Sequence, residues 1–535
     1  MPQFQEAFHQ LDYCLFKRMN AFRNPALVMA LTDRSRTIRT AAFGYANLET
    51  KELAQVNHLF AIGSIGKSFT ALAVLQSYES GLIDLRAPVT KYLPWFEVQS
   101  DYAPITIHHL LSHASGLPRG TDFAPDPRAE VYGLRDVQVG FAPGKHFAYS
   151  DLGYKVLGLV LESVTGLPYP EVIRRQILEP LDMYDTSPVT TSSLRPRMAA
   201  GYRLLYDDRP PSLSQPLVPA DWVETNSGDG CIVSTGEDMA KFARMLLNEG
   251  FGPRARLISE ESYRKMVSPR IEEDGETYGY GLYLFDDDGY QIAGHGGDVP
   301  GYESYMWLDL TNSLAAITLM STPHTPRASF LTLEYFRAAY LRFPPPDAPP
   351  LPDFTFIANP EPFAGTYHSE SGSLCFEAQN HHLLLIDGEK RIILEARGAG
   401  SFHADHPDWD LYLLRFGRDQ HEQVVEVTYG PLWMVNDRYQ GPRTFETPES
   451  WSAFTGHYRS HNPWETNFRV FTRKGRLILC SPSGDEEVLV ALPDGQFRVG
   501  EEEYIPERIA FEQIVEGKAL RALRSNCPYY RFFTP

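Results

Sequence analysis

The chain has 535 residues, of which 43% are hydrophobic, 13% aromatic and 22% charged; this excludes a disordered or fibrous protein and is too long for one ordinary core. With 49 Lys and Arg against 68 Asp and Glu, the formal net charge is −19, a field that repels phosphate backbones and anionic lipid, so neither nucleic acid nor membrane is an expected partner. The five cysteines, Cys14, Cys231, Cys375, Cys480 and Cys527, lie far apart without a CxxC pair, which argues against a disulfide framework or a structural zinc site.

In chain order, the opening MPQFQEAFHQLDYCLFKRMN lacks the basic-then-apolar order of a signal peptide. No apolar run approaches the ~18 residues of a membrane helix, and a cytoplasmic location is expected. ALVMAL (26–31) reads as a strand. The apolar stretch from Ser64 to Ser80 predicts a helix closed by Gly81, and Asp151 to Thr165 predicts a second closed by Gly166. SYMWLDL (304–310) and AAITLMS (315–321) read as further strands, so residues 1–342 form one domain of α+β or α/β class. Six prolines between Phe343 and Phe354 mark a linker at 343–353.

Beyond the linker the pattern changes to short alternating strands, and it repeats. PFAGTY (362–367) recurs as AFTGHY (453–458), while Phe402 and Phe497, Phe416 and Phe511, and Val425 and Leu520 keep one common spacing. Two small antiparallel β-barrels are expected, at 354–447 and 448–535.

The chemistry-bearing stretch is FAIGSIGKSFTALAVL (60–75). Ser64 and Lys67 are three residues apart and share a helix face, where an amine can take the serine proton once it is neutral. That role requires lowering the lysine pKa from ~10.4 to roughly 7–8, about 4 kcal/mol of differential environment. A second Ser-x-x-Lys, Ser262 to Lys265, sits in the charged run SEESYRKM and reads as a solvated helix face.

Tyr149-Ser150-Asp151 opens the second helix, where Asp151 is placed to cap the N-terminus. Tyr149 reads either as a core aromatic or as a proton carrier beside an amine. His295-Gly296-Gly297-Asp298 runs into a strand, and its glycines admit a substrate carbonyl close to the backbone. A glycine turn with a surface histidine fits the same residues, whereas GxGxxG and GxxxxGK[ST] do not match. His108, His109 and His113 lack partners at zinc-ligand spacing, so they read as packing or hydrogen-bonded histidines, and neither metal nor cofactor is expected. Ile62 breaks Gly-x-Ser-x-Gly at Ser64 and excludes a nucleophile elbow there.

Ser64-x-x-Lys67, Tyr149-x-Asp151 and His295-x-Gly297, in that order, resemble the three motifs of the penicillin-recognising serine hydrolases, which include class C β-lactamases, D-alanyl-D-alanine carboxypeptidases, family VIII esterases and D-stereospecific aminopeptidases. LLSHASGLP (110–118) and GDGCIVSTGEDMAKF (228–242) resemble connecting segments of that family. The resemblance covers about residues 10–340. It implies an α+β catalytic domain, an antiparallel sheet flanked by helices beside an all-α subdomain.

By position, Ser64 is the implied nucleophile and Lys67 its proton acceptor. Tyr149 is the implied general base and acid, and His295 takes the third-motif cation position. The implied oxyanion hole is the N–H groups of Ser64 and Asp298, with Asp151, Gly296 and Gly297 against the substrate. Two residues depart from the lactamase pattern: Asp151 replaces Asn and His295 replaces Lys. An acid beside Lys67 opposes its base role unless Asp151 turns away to cap its helix. Losing the third-motif lysine removes a charge suited to a substrate carboxylate.

The His-Gly-Gly form and the two β-domains resemble D-aminopeptidases. In these a loop of the last barrel recognises the substrate ammonium, which by position points to SPSGDEEV (481–488) and Asp485. The expectation is a serine hydrolase acting on a small amide or short peptide, with an N-terminal D-residue as first candidate. A carboxylesterase on the same machinery and a non-catalytic sensor are the rivals, and a homo-oligomer is compatible with either.

Overall fold

The computed structural model describes residues 2–532 except 121–125, 274, 323–324, 326 and 371. Two compact units form: Met1–Arg203 with Leu217–Pro349 and Asn462–Trp464, and Leu204–Pro216 with Pro350–His461 and Glu465–Pro535.

The first unit begins with helix α1 (Pro2–Ala21) and strands β1 (Ala26–Asp33), β2 (Thr37–Asn47) and β3 (Glu52–Leu53). A helical region follows: α2 (Gly66–Glu79), α3 (Ile107–Leu111), α4 (Pro127–Gly133), α5 (Asp151–Thr165) and α6 (Gly236–Leu247). Strands β4 (Ile271–Glu273), β5 (Glu276–Tyr278), β6 (Tyr283–Asp287), β7 (Tyr290–Val299), β8 (Tyr302–Asp309) and β9 (Leu314–Met320) precede α7 (Ala328–Leu341). The nine strands make one antiparallel sheet in the order β3-β2-β1-β9-β8-β7-β6-β5-β4.

Strand alternation builds two cores. In β1, Leu27 and Met29 face α1 and α7, packing with Leu11, Leu15, Leu331 and Tyr335, while Val28 and Ala30 face the core of α2 and α6. Burial on both faces explains why ALVMAL is an unbroken apolar run. Helix α2 is buried nearly all round, with Phe69 stacked on Phe242 of α6 at 3.9 Å. The expected helices and strands are present, and Gly166 ends α5 at φ +70°. The expected cap differs: Ser150 is the N-cap, accepting from Gly153 N at 3.1 Å, which leaves the Asp151 carboxylate for other work.

In the second unit, eight strands from Gly365–Ser369 to Leu432–Val435 close one barrel, and eight from Gly456–Arg459 to Cys527–Arg531 close another. The repeat is structural. Tyr367 OH donates to Phe363 O at 3.1 Å and Tyr458 OH to Phe454 O at 2.8 Å. Phe416 meets Phe402 and Phe363, as Phe511 meets Phe497 and Phe454. Segment 204–216, continuous in sequence with the first unit, joins the second through Asp207–Arg459, Asp208–Arg469 and Arg209–Asp410 ion pairs. Among the described residues no single helix is long and apolar enough to cross a membrane.

Candidate active site

Ser64 lies in a one-turn 3-10 helix, Gly63–Ile65, directly before α2. Gly63 holds φ +49°, a left-handed conformation that turns the chain so sharply that Ser64 stays half-buried while its neighbours are buried. An ideal Cβ on Gly63 would stand 2.8 Å from Asp298 N and 2.9 Å from Asp298 O. The serine turn and the end of β7 are therefore in direct contact. Ser304 of β8 pins them further, its hydroxyl donating to Ile62 O at 2.9 Å.

Lys67 stands one turn along and is buried. Its Nζ donates to Ser64 Oγ at 3.0 Å and to the Asp229 carbonyl at 2.9 Å, and lies 2.6 Å from Asp151 Oδ1. Burial alone would lower the ammonium, but the Asp151 carboxylate, Tyr149 and Asp229 more than offset it, so its pKa is raised. Lys67 rests as a cation. Asp151 is the converse: burial pushes it up, and Lys67, Arg119 and Lys155 hold it below the usual carboxylate range. Arg119 Nε stands 3.9 Å from Asp151 Oδ2.

Tyr149, two residues before α5, places its ring 4.9 Å from Lys67 Nζ. Burial raises its phenol above the ordinary value; the Lys67 charge and hydrogen bonds to Lys67 and Ser64 pull it back, and Asp151 raises it again. It rests protonated. Beneath it lies His113, fully buried, ring centroids 4.3 Å apart, with Nδ1 accepting from Ser150 N at 3.0 Å.

His295 stands on β7 at the third-motif position. Its Nδ1 lies 2.5 Å from the Gly296 carbonyl, which can only accept, so Nδ1 carries the proton and Nε2 accepts from Tyr278 OH at 3.1 Å. Burial, then the Lys67 charge, push its pKa down to about 3, so the third-motif position holds a neutral imidazole. Gly296 and Gly297 follow on β7; a Cβ on Gly297 would strike Ile62 O, which explains the glycine there.

Asp298 pairs across the strands with Glu303. Its side chain is reached by solvent, yet the atoms around it push the carboxyl up to about 6, with the Glu303 charge adding to the rise. Glu303 is fixed by Tyr305 OH at 2.7 Å and Thr325 N at 3.2 Å. Trp464 Nε1 donates to the Asp298 carbonyl at a long 3.5 Å.

The geometry thus brings Ser64, Lys67, Tyr149, Asp151, His295 and Asp298 together in the first unit. Asp485 belongs to the second, where it accepts from Ser483 Oγ at 2.7 Å; its neighbour Glu486 is paired with Arg473. His108 meets Tyr280 OH at 2.7 Å and His109 Nδ1 accepts from Thr106 N at 3.2 Å, both structural roles. Ser262 is buried in the first turn of Glu260–Met266, while Lys265 turns to Glu261, so the second Ser-x-x-Lys forms no couple. The sequence reads His113 as a packing or hydrogen-bonded histidine, and it both packs under Tyr149 and accepts from Ser150 N; Tyr278 is not among the residues the sequence singles out. The SHASGLP phrase around His113 was the available signal; nothing local marks Tyr278.

Residues 12–339 match the family model described as Beta-lactamase. The chain is 30% identical over 289 residues to "Penicillin-binding protein 4*" of Bacillus subtilis (strain 168), a match covering 50% of this chain and 61% of that protein. It is 28% identical over 355 residues to "Penicillin-binding protein 4" of Amycolatopsis lactamdurans, covering 62% and 90%. The chain thus spans less than two thirds of the Bacillus relative. Among solved structures, the octameric penicillin-binding protein homologue from Pyrococcus abyssi superposes with TM-score 0.59 at 23% identity, over 80% of this chain and 100% of that one. EstCE1, a hydrolase with promiscuous acyltransferase activity, superposes with TM-score 0.53 at 21% identity, over 63% and 99%. With its three motifs gathered around Ser64, the chain belongs to the Beta-lactamase family of serine hydrolases.

Proposed function

We propose that this protein hydrolyses a small amide or short peptide carrying a free amine, through an acyl-enzyme on Ser64. Ser64 Oγ attacks the carbonyl, whose oxygen is held by the backbone N–H groups of Ser64 and Asp298. Tyr149, its ring 4.9 Å from Lys67 Nζ, hands a proton to the leaving nitrogen and later takes one from the deacylating water. Gly296 and Gly297 let the substrate lie against β7.

The observation that carries the substrate class is the charge pattern. His295 is neutral, and Lys67 and Arg119 both face Asp151. Beside the oxyanion strand stand two carboxylates, Asp298 and Glu303. Such a site favours an ammonium over a substrate carboxylate, which supports an aminopeptidase or amidase over a β-lactamase or carboxypeptidase. An N-terminal D-residue remains the first candidate, on the resemblance of the His-Gly-Gly motif and the paired barrels to D-aminopeptidases. An ester would need no proton for its departing alkoxide as early as an amide does, so ester cleavage by the same groups is the second reading.

The test compares wild type and Ser64→Ala on the p-nitroanilides of D-alanine, L-alanine and N-acetyl-D-alanine, and on p-nitrophenyl butyrate. The expected result is Ser64-dependent turnover of the free-amine D-anilide with little or none of its acetylated form. Turnover of the butyrate alone would replace the amidase reading by the esterase one.

A further inference from the structure

Ser64 can act as a nucleophile only if some group in contact with it accepts a proton. The resting protonation states narrow the choice. Lys67 is an ammonium, Tyr149 a phenol, and His295 has its one lone pair taken by Tyr278 OH. His113 uses Nδ1 to accept from Ser150 N and is packed under Tyr149. One group in the hydrogen-bonded chain rests without a proton: Asp151, in line behind Lys67, with Ser64 Oγ to Lys67 Nζ at 3.0 Å and Lys67 Nζ to Asp151 Oδ1 at 2.6 Å.

We propose that Asp151 is the resting proton acceptor of the site, receiving through Lys67 the proton that Ser64 loses. The inference rests on the serine-hydrolase reading above and deepens it. As the Ser64 Oγ–carbon bond forms, the Oγ proton moves to Lys67 Nζ and Lys67 passes one of its own to Asp151 Oδ1. The carbonyl π pair moves onto oxygen. On collapse that pair restores the C=O, the carbon–nitrogen bond breaks, and the proton returns from Asp151 through Lys67 and Tyr149 to the leaving nitrogen. The lysine–aspartate pair ends as it began.

Burial works in the direction of this transfer, lowering the proton affinity of the amine and raising that of the carboxylate, while the attraction between the two charges outweighs it and holds the ion pair at rest. The surroundings set the remaining charges. Asp151 is faced by Lys67 from α2, by Arg119 from the segment after α3, and by Lys155 of its own helix, which Glu130 of α4 engages at 2.6 Å. Lys67 is faced by Tyr149, Tyr154 and Asp229, with the neutral His113 and His295 beyond. In this role Asp151 acts through Lys67, which is why the departure from Asn at this position need not disable the site.

The test uses diethyl p-nitrophenyl phosphate on the full chain, followed as one equivalent of nitrophenolate. Its leaving group needs no proton, so the one proton in flight is that of Ser64. Proton transfer within a neutral-sum pair requires no net ionisation, so the wild-type rate is expected to stay constant within about twofold from pH 6 to 9. Asp151→Asn forces Lys67 to lose its proton to solvent; its rate should rise about tenfold per pH unit before levelling. Asp151→Glu should restore the flat profile. A wild-type rate rising tenfold per unit, or a flat Asp151→Asn profile, would overturn the proposal. Absence of any Ser64 labelling in wild type would instead defeat the serine-hydrolase reading on which it rests.

Discussion

Gly63→Ala isolates the contact that forms the proposed oxyanion hole. The added Cβ would lie 2.8 Å from Asp298 N, 2.9 Å from Asp298 O and 3.1 Å from the Gly297 carbonyl carbon. Ordinary contact begins near 3.4 Å, so β7 must retreat by about 0.5 Å, carrying the Asp298 N–H from the position where it meets the developing oxyanion. Losing one such donor raises the barrier by about 2.7–4 kcal/mol, so kcat for p-nitrophenyl butyrate should fall at least ~100-fold. The left-handed φ of +49° adds a separate, purely conformational cost of about 1–2 kcal/mol in stability. Gly166→Ala is the control, because Gly166 shares the left-handed conformation at φ +70° but has nothing within 4 Å of its Cβ. Both variants carry the conformational cost, Gly63→Ala adds that of the displaced strand and should be the less stable of the two, and Gly63→Ala alone should lose turnover. If folded Gly63→Ala keeps kcat within threefold of wild type, the Asp298 N–H does not hold the oxyanion.

Two further predictions use charges elsewhere in the first unit. Glu130 and Lys155 form a 2.6 Å ion pair with both side chains 1% exposed, so Glu130→Gln leaves a buried ammonium short of its counter-charge and should cost about 3 kcal/mol or more in denaturant unfolding; a shift below ~1 kcal/mol would show the pair to be dispensable. Asp298, with its carboxyl pushed up to about 6, is ionised above that pH and neutral below it, so KM for the free-amine D-anilide should rise as pH falls from 7 to 5 while any KM for the acetylated form stays level. Asp298→Asn should raise the free-amine KM about fivefold at pH 7 and abolish its pH dependence, a change of roughly 1 kcal/mol for a solvent-reached charge. An unchanged free-amine KM in Asp298→Asn would show that this carboxylate does not hold the ammonium.

The motif residues could be read from the sequence because their chemistry works at fixed local spacing. Ser64 and Lys67 meet through one helical turn, and Tyr149 and Asp151 flank one helix start. Partners supplied by tertiary structure left no such trace. The Asp229 carbonyl that holds Lys67 lies 162 residues away, and the pairing of β1 with β9 joins Leu27 to Met320. The cap of α5 shows where local reasoning ends. Ser150 and Asp151 are adjacent and both suit an N-cap, so propensity could not choose between them. The buried Lys67 ammonium, 2.6 Å from Asp151, decides it: the hydroxyl caps and the carboxylate pairs. The charge of His295 was illegible for a related reason, since burial and the Tyr278 hydroxyl set it, and neither is adjacent in sequence.

The two departures from the lactamase pattern make sense together. A site with lysines in the first and third motifs and asparagine in the second carries two positive charges, suited to an anionic substrate. Here Lys67 is balanced by Asp151 and His295 is neutral, so the three motifs sum to zero. Had Asp151 replaced Asn alone, a third-motif lysine would have drawn on the same carboxylate and weakened its hold on Lys67. Had histidine replaced lysine alone, Lys67 would stand as an unpaired buried cation, costly unless it deprotonated. With both changes the buried ammonium is paired, the proton from Ser64 has a destination, and the field at the carbonyl no longer favours a carboxylate. The substrate class and the proton path are therefore one adjustment, and Asp151→Asn should disturb both: alongside the new pH dependence, it should weaken the preference for a free-amine substrate over its acetylated form.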